Sequence, residues 1–253
     1  MSNRRLTLVG LDRIGDVAAG DDLPAMLVDA IAAAGESLEP GDIVAVAQKI
    51  VSKSEGRTVR LADVSPDDEA NQLAASTGKD PRLAQLLLRE TRTVMRQREG
   101  LVIVEDVRGL VLANAGIDAS NVSADGQSVL LLPADPDASA RQLRAGLAKL
   151  TGVAPGVLVL DSIGRAWRQG TVGTAIGVAG MPALLDLRGK PDMHGRPLET
   201  SELGVADEVA AAASLLMGQA DERCPAVLIR GLELTGDGKA VDLQRPSNMD
   251  LFR

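Results

Sequence analysis

The sequence DPDASARQLRAGLAKLTGVAPGVLVLD, residues 135–161, joins a helical pattern to a fully apolar run. Leu143, Leu147 and Leu150 recur at i, i+4 and i+7, which predicts an amphipathic helix that ends at Gly152. Residues 157–160 are all Val or Leu, which predicts a strand that is buried on both faces and closes on Asp161. A helix that leads into such a strand is typical of a sheet covered by helices.

Helical and strand-like patterns alternate irregularly along the rest of the chain. Helices are predicted over residues 20–35, twice within 65–90, and over 205–217. Strands are predicted at 6–9, 42–53, 93–95, 101–105, 110–113, 129–132, 183–187 and 226–230, and a Gly-rich stretch covers 164–180. This mixture of hairpin-like strands and strand–helix units indicates an α+β fold, with mixed β-sheets and flanking helices in a single domain over residues 1–253.

The composition excludes several classes of function. The chain has one Cys and one His, which excludes disulfide frameworks, Cys-rich metal sites and multi-histidine centres. A net charge of −8 disfavours binding to nucleic acid or to an anionic membrane. The charged N-terminus is not a signal peptide, and no run of 18 apolar residues occurs, so we expect a cytoplasmic protein. Any metal must therefore be bound through oxygen atoms.

Two acidic segments carry the strongest chemical signal. Asp118 lies in NAGIDASN, residues 114–121, after an apolar strand. Asp161 and Ser162 open DSIGRAWRQG, residues 161–170, in which Arg165 and Arg168 follow. Acids beside arginines in a Gly-rich loop at a strand end are typical of sites that hold a divalent cation and a polyphosphate. The alternative, equally weighted from spacing, is that Asp161 caps a helix and pairs with Arg165.

Other motifs leave two interpretations open. Lys49, Lys53 and Arg57 in AQKIVSKSEGR can recruit an anion, although a solvated face explains such a charge run more often. The glycines of GTVGTAIGVAG, residues 170–180, fit neither phosphate-binding motif, and they serve turns and close packing equally well. Trp167 either stacks on a ring or anchors its loop. His194 is expected to be exposed and Cys224 to be structural.

Five motifs, taken together, resemble a known family. In chain order the motifs are the opening GLDRIGDVAAGDDL, QKIVSKSEGR, NAGIDASN, DSIGRAWRQG with AIGVAG, and VADEVAAAASLLMGQADE with VLIRG. Together they cover most of the chain. They resemble the coenzyme F420:L-glutamate ligase family, also called the gamma-glutamyl ligase family. The resemblance implies the fold of that family, in its single-domain form without a nitroreductase-like extension. One departure is Asp12, which stands where the family usually has a proline.

The resemblance also implies an activity. The family uses GTP and a divalent cation, Mg²⁺ or Mn²⁺, to attach L-glutamate to the lactyl-phospho side chain of a deazaflavin, and then adds further gamma-linked glutamates. Phosphoryl transfer from GTP to the acceptor carboxylate gives an acyl phosphate, which the glutamate amine attacks. A monovalent cation such as K⁺ and a homodimer are further expectations from the family.

Site residues carry over by position. The metal ligands implied are Asp118, Asp161, Ser162 and Gln219, the last of these as a second-metal or phosphate contact. The nucleotide contacts implied are Leu11, Asp12, Arg13, Ile14, Gln48, Lys53, Asn121 and Gly218. On chemical grounds Arg165 and Arg168 are predicted to clamp anions during catalysis.

Three other functions remain as alternatives. They are an amide ligase of the same fold that acts on another acid, a GTP- and metal-binding module without catalysis, and a phosphohydrolase that needs no glutamate. The ligase assignment requires Asp118 and Asp161 to face a common cavity. If the fold separates them, the ligase assignment fails.

Overall fold

The computed structural model describes residues 5–119, 122 and 126–251. Its strands are β1 (Thr7–Leu11), β2 (Ile43–Ala47), β3 (Thr58–Arg60), β4 (Thr91–Arg98), β5 (Leu101–Asp106), β6 (Val111–Ala113), β7 (Ser128–Leu130), β8 (Gly156–Gly164), β9 (Thr171–Ala179), β10 (Leu185–Asp186), β11 (Glu202–Leu203) and β12 (Ala226–Arg230). Its α-helices are α1 (Leu23–Ala33), α2 (Gln48–Ser54), α3 (Asp68–Thr77), α4 (Pro81–Arg89), α5 (Pro136–Thr151) and α6 (Val205–Met217).

A five-stranded mixed sheet forms the centre of the fold, in the order β1-β12-β2-β8-β9. Strands β2 and β8 run parallel, and the other neighbours are antiparallel. Helices α1 and α5 cover one face, and α6 covers the other. The predicted α+β class with mixed sheets is confirmed.

Strand β8 is buried on both faces, as its apolar run predicts. Val157 and Val159 pack in the core beneath α1 and α5, whereas Leu158 and Leu160 pack in the core beneath α6. This alternation follows from the two-residue period of a strand, and it fixes which face each later residue of β8 points to.

Smaller sheets lie beside the central one. Strands β4, β5 and β6 form an antiparallel sheet against which α3 and α4 pack. Strand β3 pairs with β7, and β10 pairs with β11. Among the residues that the structure describes, none of the helices combines the length and apolar character needed to cross a membrane.

Helix ends follow the expected local chemistry. Asp22 and Asp135 cap α1 and α5 by accepting hydrogen bonds from Ala25 N and Ala138 N, and each helix has a proline in its first turn. Gly152 ends α5 in the left-handed conformation. Leu150, however, is 51% exposed, so the predicted apolar stripe stops one turn before the helix does.

Residues 42–53 are not one continuous strand. Strand β2 ends at Ala47 and α2 begins at Gln48. The β-branched residues Ile50 and Val51 favour a strand locally, but both are buried in the core, and burial outweighs a weak intrinsic preference.

The Gly-rich stretch holds a strand that the sequence did not predict. In β9, a Cβ at Gly173 would meet the carbonyl oxygen of Ala210 in α6, and one at Gly177 would meet that of Pro136 in α5. The glycines of this strand therefore allow two helices to pack against its backbone, which confirms the close-packing interpretation. The predicted strand at 183–187 is reduced to Leu185–Asp186.

Candidate functional site

The register of the central sheet brings the candidate segments to one end of it. Leu11, Ala226, Val46 and Val159 lie in one row across β1, β12, β2 and β8. Beyond this row the chain leaves β1 into residues 12–14 and leaves β2 into α2, while β8 continues through Asp161. Segments that are distant in sequence are thus adjacent at this edge.

Asp118 reaches this edge through an unusual backbone path. Asn114, Ala115 and Gly116 have φ values of 52°, 53° and 67°. Left-handed conformations of non-glycine residues cost about 1–3 kcal/mol each, and they concentrate at functional sites. The Asn114 side chain helps to hold the turn by accepting a hydrogen bond from Val102 N at 3.1 Å.

The two aspartates interact electrostatically. The backbone of Asp118 is fixed to Leu130 by two hydrogen bonds of 2.9 and 2.8 Å, and its Oδ2 lies 2.6 Å from Lys49 Nζ. The pKa of Asp161 is raised, first by burial and then by the negative charge of Asp118, while Ser162 N–H and Lys49 act in the opposite direction. The carboxylates therefore lie within each other's electric field, with one lysine between the two segments.

Ser162 belongs to a second group on the other face of β8. Because successive side chains of a strand alternate, Asp161 points to the face of Val159, and Ser162 points to the face of Leu160 and α6. Gln219, just beyond α6, donates from Nε2 to Ser162 Oγ at 2.7 Å. The four predicted metal ligands thus come together as two pairs, one on each side of the strand.

The donor atoms suit a hard cation. Carboxylate, hydroxyl and amide oxygens are the ligands that Mg²⁺ and Mn²⁺ prefer, and such ions usually keep positions for substrate phosphates and water. No group of three or more His, Cys, Asp or Glu side chains that could hold a metal occurs in the described part of the chain. The two carboxylates on one face of β8 therefore fit a cation whose remaining ligands come from an anionic substrate and water.

The loop after β1 divides into inward and outward residues. Leu11 and Ile14 are 1% and 4% exposed and belong to the core, while Asp12 and Arg13 are exposed. Asp12 and Arg13 are therefore the residues of this loop that a nucleotide could contact, and Leu11 and Ile14 anchor the loop in the core.

Helix α2 orients the predicted Gln48 and Lys53. Gln48 is 2% exposed and accepts a hydrogen bond from Ser52 Oγ at 2.9 Å. Lys49 and Lys53 lie four residues apart on the half-exposed face of the helix. The side chain of Lys49, rather than that of Gln48, forms an ion pair with Asp118. The sequence feature that could have identified Lys49 is the basic cluster of residues 47–57.

Gly218 has a conformation that requires glycine. Its φ of +69° with ψ of −170° is sterically closed to other residues, and a Cβ there would meet the Glu222 carboxyl group. The residue turns the chain from α6 towards Gln219.

Arg165 and Arg168 lie outside the carboxylate groups. Both are exposed in the loop between β8 and β9, and neither forms an ion pair with any described residue. Asp161 lies within β8 and caps no helix, so the alternative in which it caps a helix and pairs with Arg165 is wrong. Asn121 lies outside the described residues. His194 is exposed, and Cys224 is buried as a free thiol.

The chain belongs to the F420-0:Gamma-glutamyl ligase family, whose family model matches residues 12–231. It is 44% identical to the coenzyme F420:L-glutamate ligase of Methanothermobacter thermautotrophicus over 98% of this chain and 99% of that protein. Identity to the ligase of the same name from Methanopyrus kandleri is 42% over 98% of this chain and 97% of that protein. The Methanocaldococcus jannaschii ligase is 43% identical over 85% and 86% of the two chains.

Proposed function

We propose that this chain is a coenzyme F420:L-glutamate ligase, which uses GTP and a divalent cation to join L-glutamate to a deazaflavin acceptor through an acyl phosphate. Its relatives carry the name of this ligase along nearly the whole length of the chain. One observation supports the proposal most strongly. Asp118 forms an ion pair with Lys49, and its negative charge acts on Asp161, at the sheet edge where the loop after β1 also emerges.

The chemistry needs two steps. The acceptor carboxylate attacks the γ-phosphorus of GTP, which breaks the bond to the β–γ bridging oxygen and releases GDP. The amine of glutamate then attacks the acyl carbon, loses a proton, and expels inorganic phosphate as the amide forms. Activation is required because a free carboxylate is a poor electrophile.

Each group of site residues has its own proposed role. Asp118 and Asp161 would hold the cation, which supplies positive charge to the transferring phosphoryl group. Lys49 balances the charge of Asp118, and its ammonium group would contact a substrate phosphate. Ser162 and Gln219 would bind a second ion or a phosphate on the other face of β8.

The decisive experiment is a product assay. Protein, GTP, Mn²⁺ or Mg²⁺, glutamate and the unglutamylated deazaflavin should give GDP, phosphate and a product heavier by one or more glutamate residues. GDP release without glutamate would favour a phosphohydrolase, and GTP binding without release would favour a binding module. Amide formation with a different acid would favour a ligase of other specificity.

Asp161→Asn keeps the shape of the side chain and removes its charge. We expect turnover to fall by at least about 100-fold, because a cation ligand is lost, while the circular dichroism spectrum and melting temperature stay close to those of the wild type. Asp186→Asn, at an exposed aspartate on β10, is the matched control and should retain full activity. Full activity of Asp161→Asn would refute the proposed site. A K⁺ requirement, a homodimer and a cytoplasmic location stay predictions from the family resemblance.

A further inference from the structure

The hairpin of β8 and β9 extends beyond the row in which the other strands end. Its pairing continues from Asp161 opposite Thr174 to Gly164 opposite Thr171, and residues 165–170 close it. Trp167 lies in this loop with 87% of its surface exposed and φ of +64°. A large aromatic residue with this exposure gains little from burial, and its left-handed conformation is one that concentrates at functional sites.

Two arginines are close neighbours of Trp167 in the sequence of this loop. Arg165 and Arg168 are exposed on either side of Trp167, and Arg168 N–H reaches the Arg165 carbonyl oxygen at 3.4 Å across the turn. Within the described ranges neither guanidinium is engaged in an ion pair. A short loop that carries an exposed indole and two exposed guanidinium groups is suited to a ligand that combines an aromatic system with negative charge.

We infer that Trp167 is the stacking platform for the deazaflavin ring of the acceptor, and that Arg165 and Arg168 hold the anionic phosphate of its side chain. The inference rests on the proposed function and adds the position of one substrate to it. In this arrangement the two arginines act on the acceptor rather than on the triphosphate of GTP.

Distances along the strand agree with this assignment. From Asp161 to Gly164 the strand rises by about 10 Å, at roughly 3.3 Å per residue. The strand alone therefore places about 10 Å between Asp161 and the start of the loop that carries Trp167. A deazaflavin whose carboxylate is carried on a lactyl-phospho side chain has its ring and carboxylate apart in this way.

The guanine ring of GTP is a weaker candidate for the same platform. The predicted nucleotide loop leaves β1, which lies three strand positions from β8 in the sheet order β1-β12-β2-β8-β9. Three interstrand spacings correspond to about 14 Å. The part of the nucleotide held by the β1 loop would thus be separated from an acceptor ring at Trp167 by the width of these strands.

The sequence provides a direct probe, because Trp167 is the only Trp and the chain has no Tyr. Emission excited near 295 nm therefore comes from this site alone. Titration with the unglutamylated deazaflavin, corrected for absorption by the ligand, should quench the emission to saturation. GTP with Mn²⁺ and glutamate, added separately, should leave it nearly unchanged.

Variants supply the second measurement. Trp167→Ala should raise KM for the deazaflavin roughly 5- to 100-fold, the usual effect of losing one stacked ring, with KM for GTP and glutamate changed less than about twofold. Trp167→Phe should restore most of the loss. Met193→Ala, which removes another side chain that is 92% exposed, is the control and should leave all three KM values unchanged.

The outcomes separate this inference from the proposed function. If the protein ligates glutamate but the deazaflavin causes no quenching, or Trp167→Ala keeps the wild-type KM, the platform is refuted and the ligase stands. If GTP quenches the emission and its KM rises in Trp167→Ala, the ring bound is guanine and the inference is wrong. Saturable quenching by the deazaflavin without ligation would support the platform and refute the ligase activity.

Discussion

Replacing Gly173 by Ala tests whether close approach of α6 to β9 is needed for the fold. A Cβ at this position would meet the Ala210 carbonyl oxygen and lie 2.7 Å from Ser214 Cβ. Carbon atoms in contact are normally 3.5–4.0 Å apart, so α6 would have to move away by about 1 Å. Gly164 lies on the paired strand with no atom near its Cβ position and is the matched control.

The expected magnitude follows from two opposing effects. Overpacking in a core costs about 1–3 kcal/mol, and replacing glycine by alanine lowers the entropy of the unfolded chain, which returns about 0.4–1 kcal/mol. Gly173→Ala should therefore lose about 1–2 kcal/mol, while Gly164→Ala should be neutral or slightly stabilised. For a chain of this length each kcal/mol corresponds to roughly 2–4 °C in melting temperature, so a decrease of about 2–8 °C is expected.

The measurement is thermal unfolding of both variants, followed by circular dichroism, together with urea titration for the free energy of unfolding. Since Gln219 follows α6 and donates to Ser162, a displaced α6 should also weaken the second group of site residues. Equal melting temperatures for Gly173→Ala and Gly164→Ala would refute the packing argument, because the two changes differ in what the added methyl group meets.

Two further variants test the charges that support the fold. Glu90 accepts hydrogen bonds from Arg57 at 2.8 Å and Arg108 at 2.6 Å, so Glu90→Gln should lose on the order of 2–3 kcal/mol in urea unfolding; a loss below the error of the measurement would show that the two arginines find other partners. Burial raises the pKa of Asp207 above 3.8 despite the hydrogen bond from Ala175 N–H. Protonation of Asp207 therefore stabilises the folded state fully below 3.8, and this stabilisation is lost as pH rises through the higher folded-state pKa. Asp207→Asn should thus gain stability relative to the wild type between about pH 4 and 7 and lose that gain at lower pH; a pH-independent difference in the free energy of unfolding would contradict this assignment.

Local patterns were sufficient for the elements whose burial is regular. The Leu periodicity located α5, and the run of four Val and Leu residues located the doubly buried part of β8. They failed at α2, where Ile50 and Val51 have strand-like preferences but a helix buries them. They also failed at β9, whose glycines look like loop residues until the two helices packed on them are known.

Some features of the candidate site could likewise be predicted from the sequence, and others could not. Asp118 and Asp161 could be selected because carboxylates that follow apolar strands are poor candidates for core packing. The pairing of Lys49 with Asp118, and the separation of Ser162 and Gln219 onto the opposite face of β8, could not be selected. Those relationships depend on which side of one strand each neighbouring element covers.

The order of residues therefore decided the fold class, the apolar strands and the chemical character of the site, since each depends on the type and spacing of nearby side chains. The tertiary structure alone decided that β12 lies between β1 and β2, that Leu11, Val46 and Val159 share a row, and that the charges of Asp118 and Lys49 act on Asp161. The physical reason is that strand pairing and sheet order join distant segments, and the free energy that selects among the possible pairings comes from the whole core.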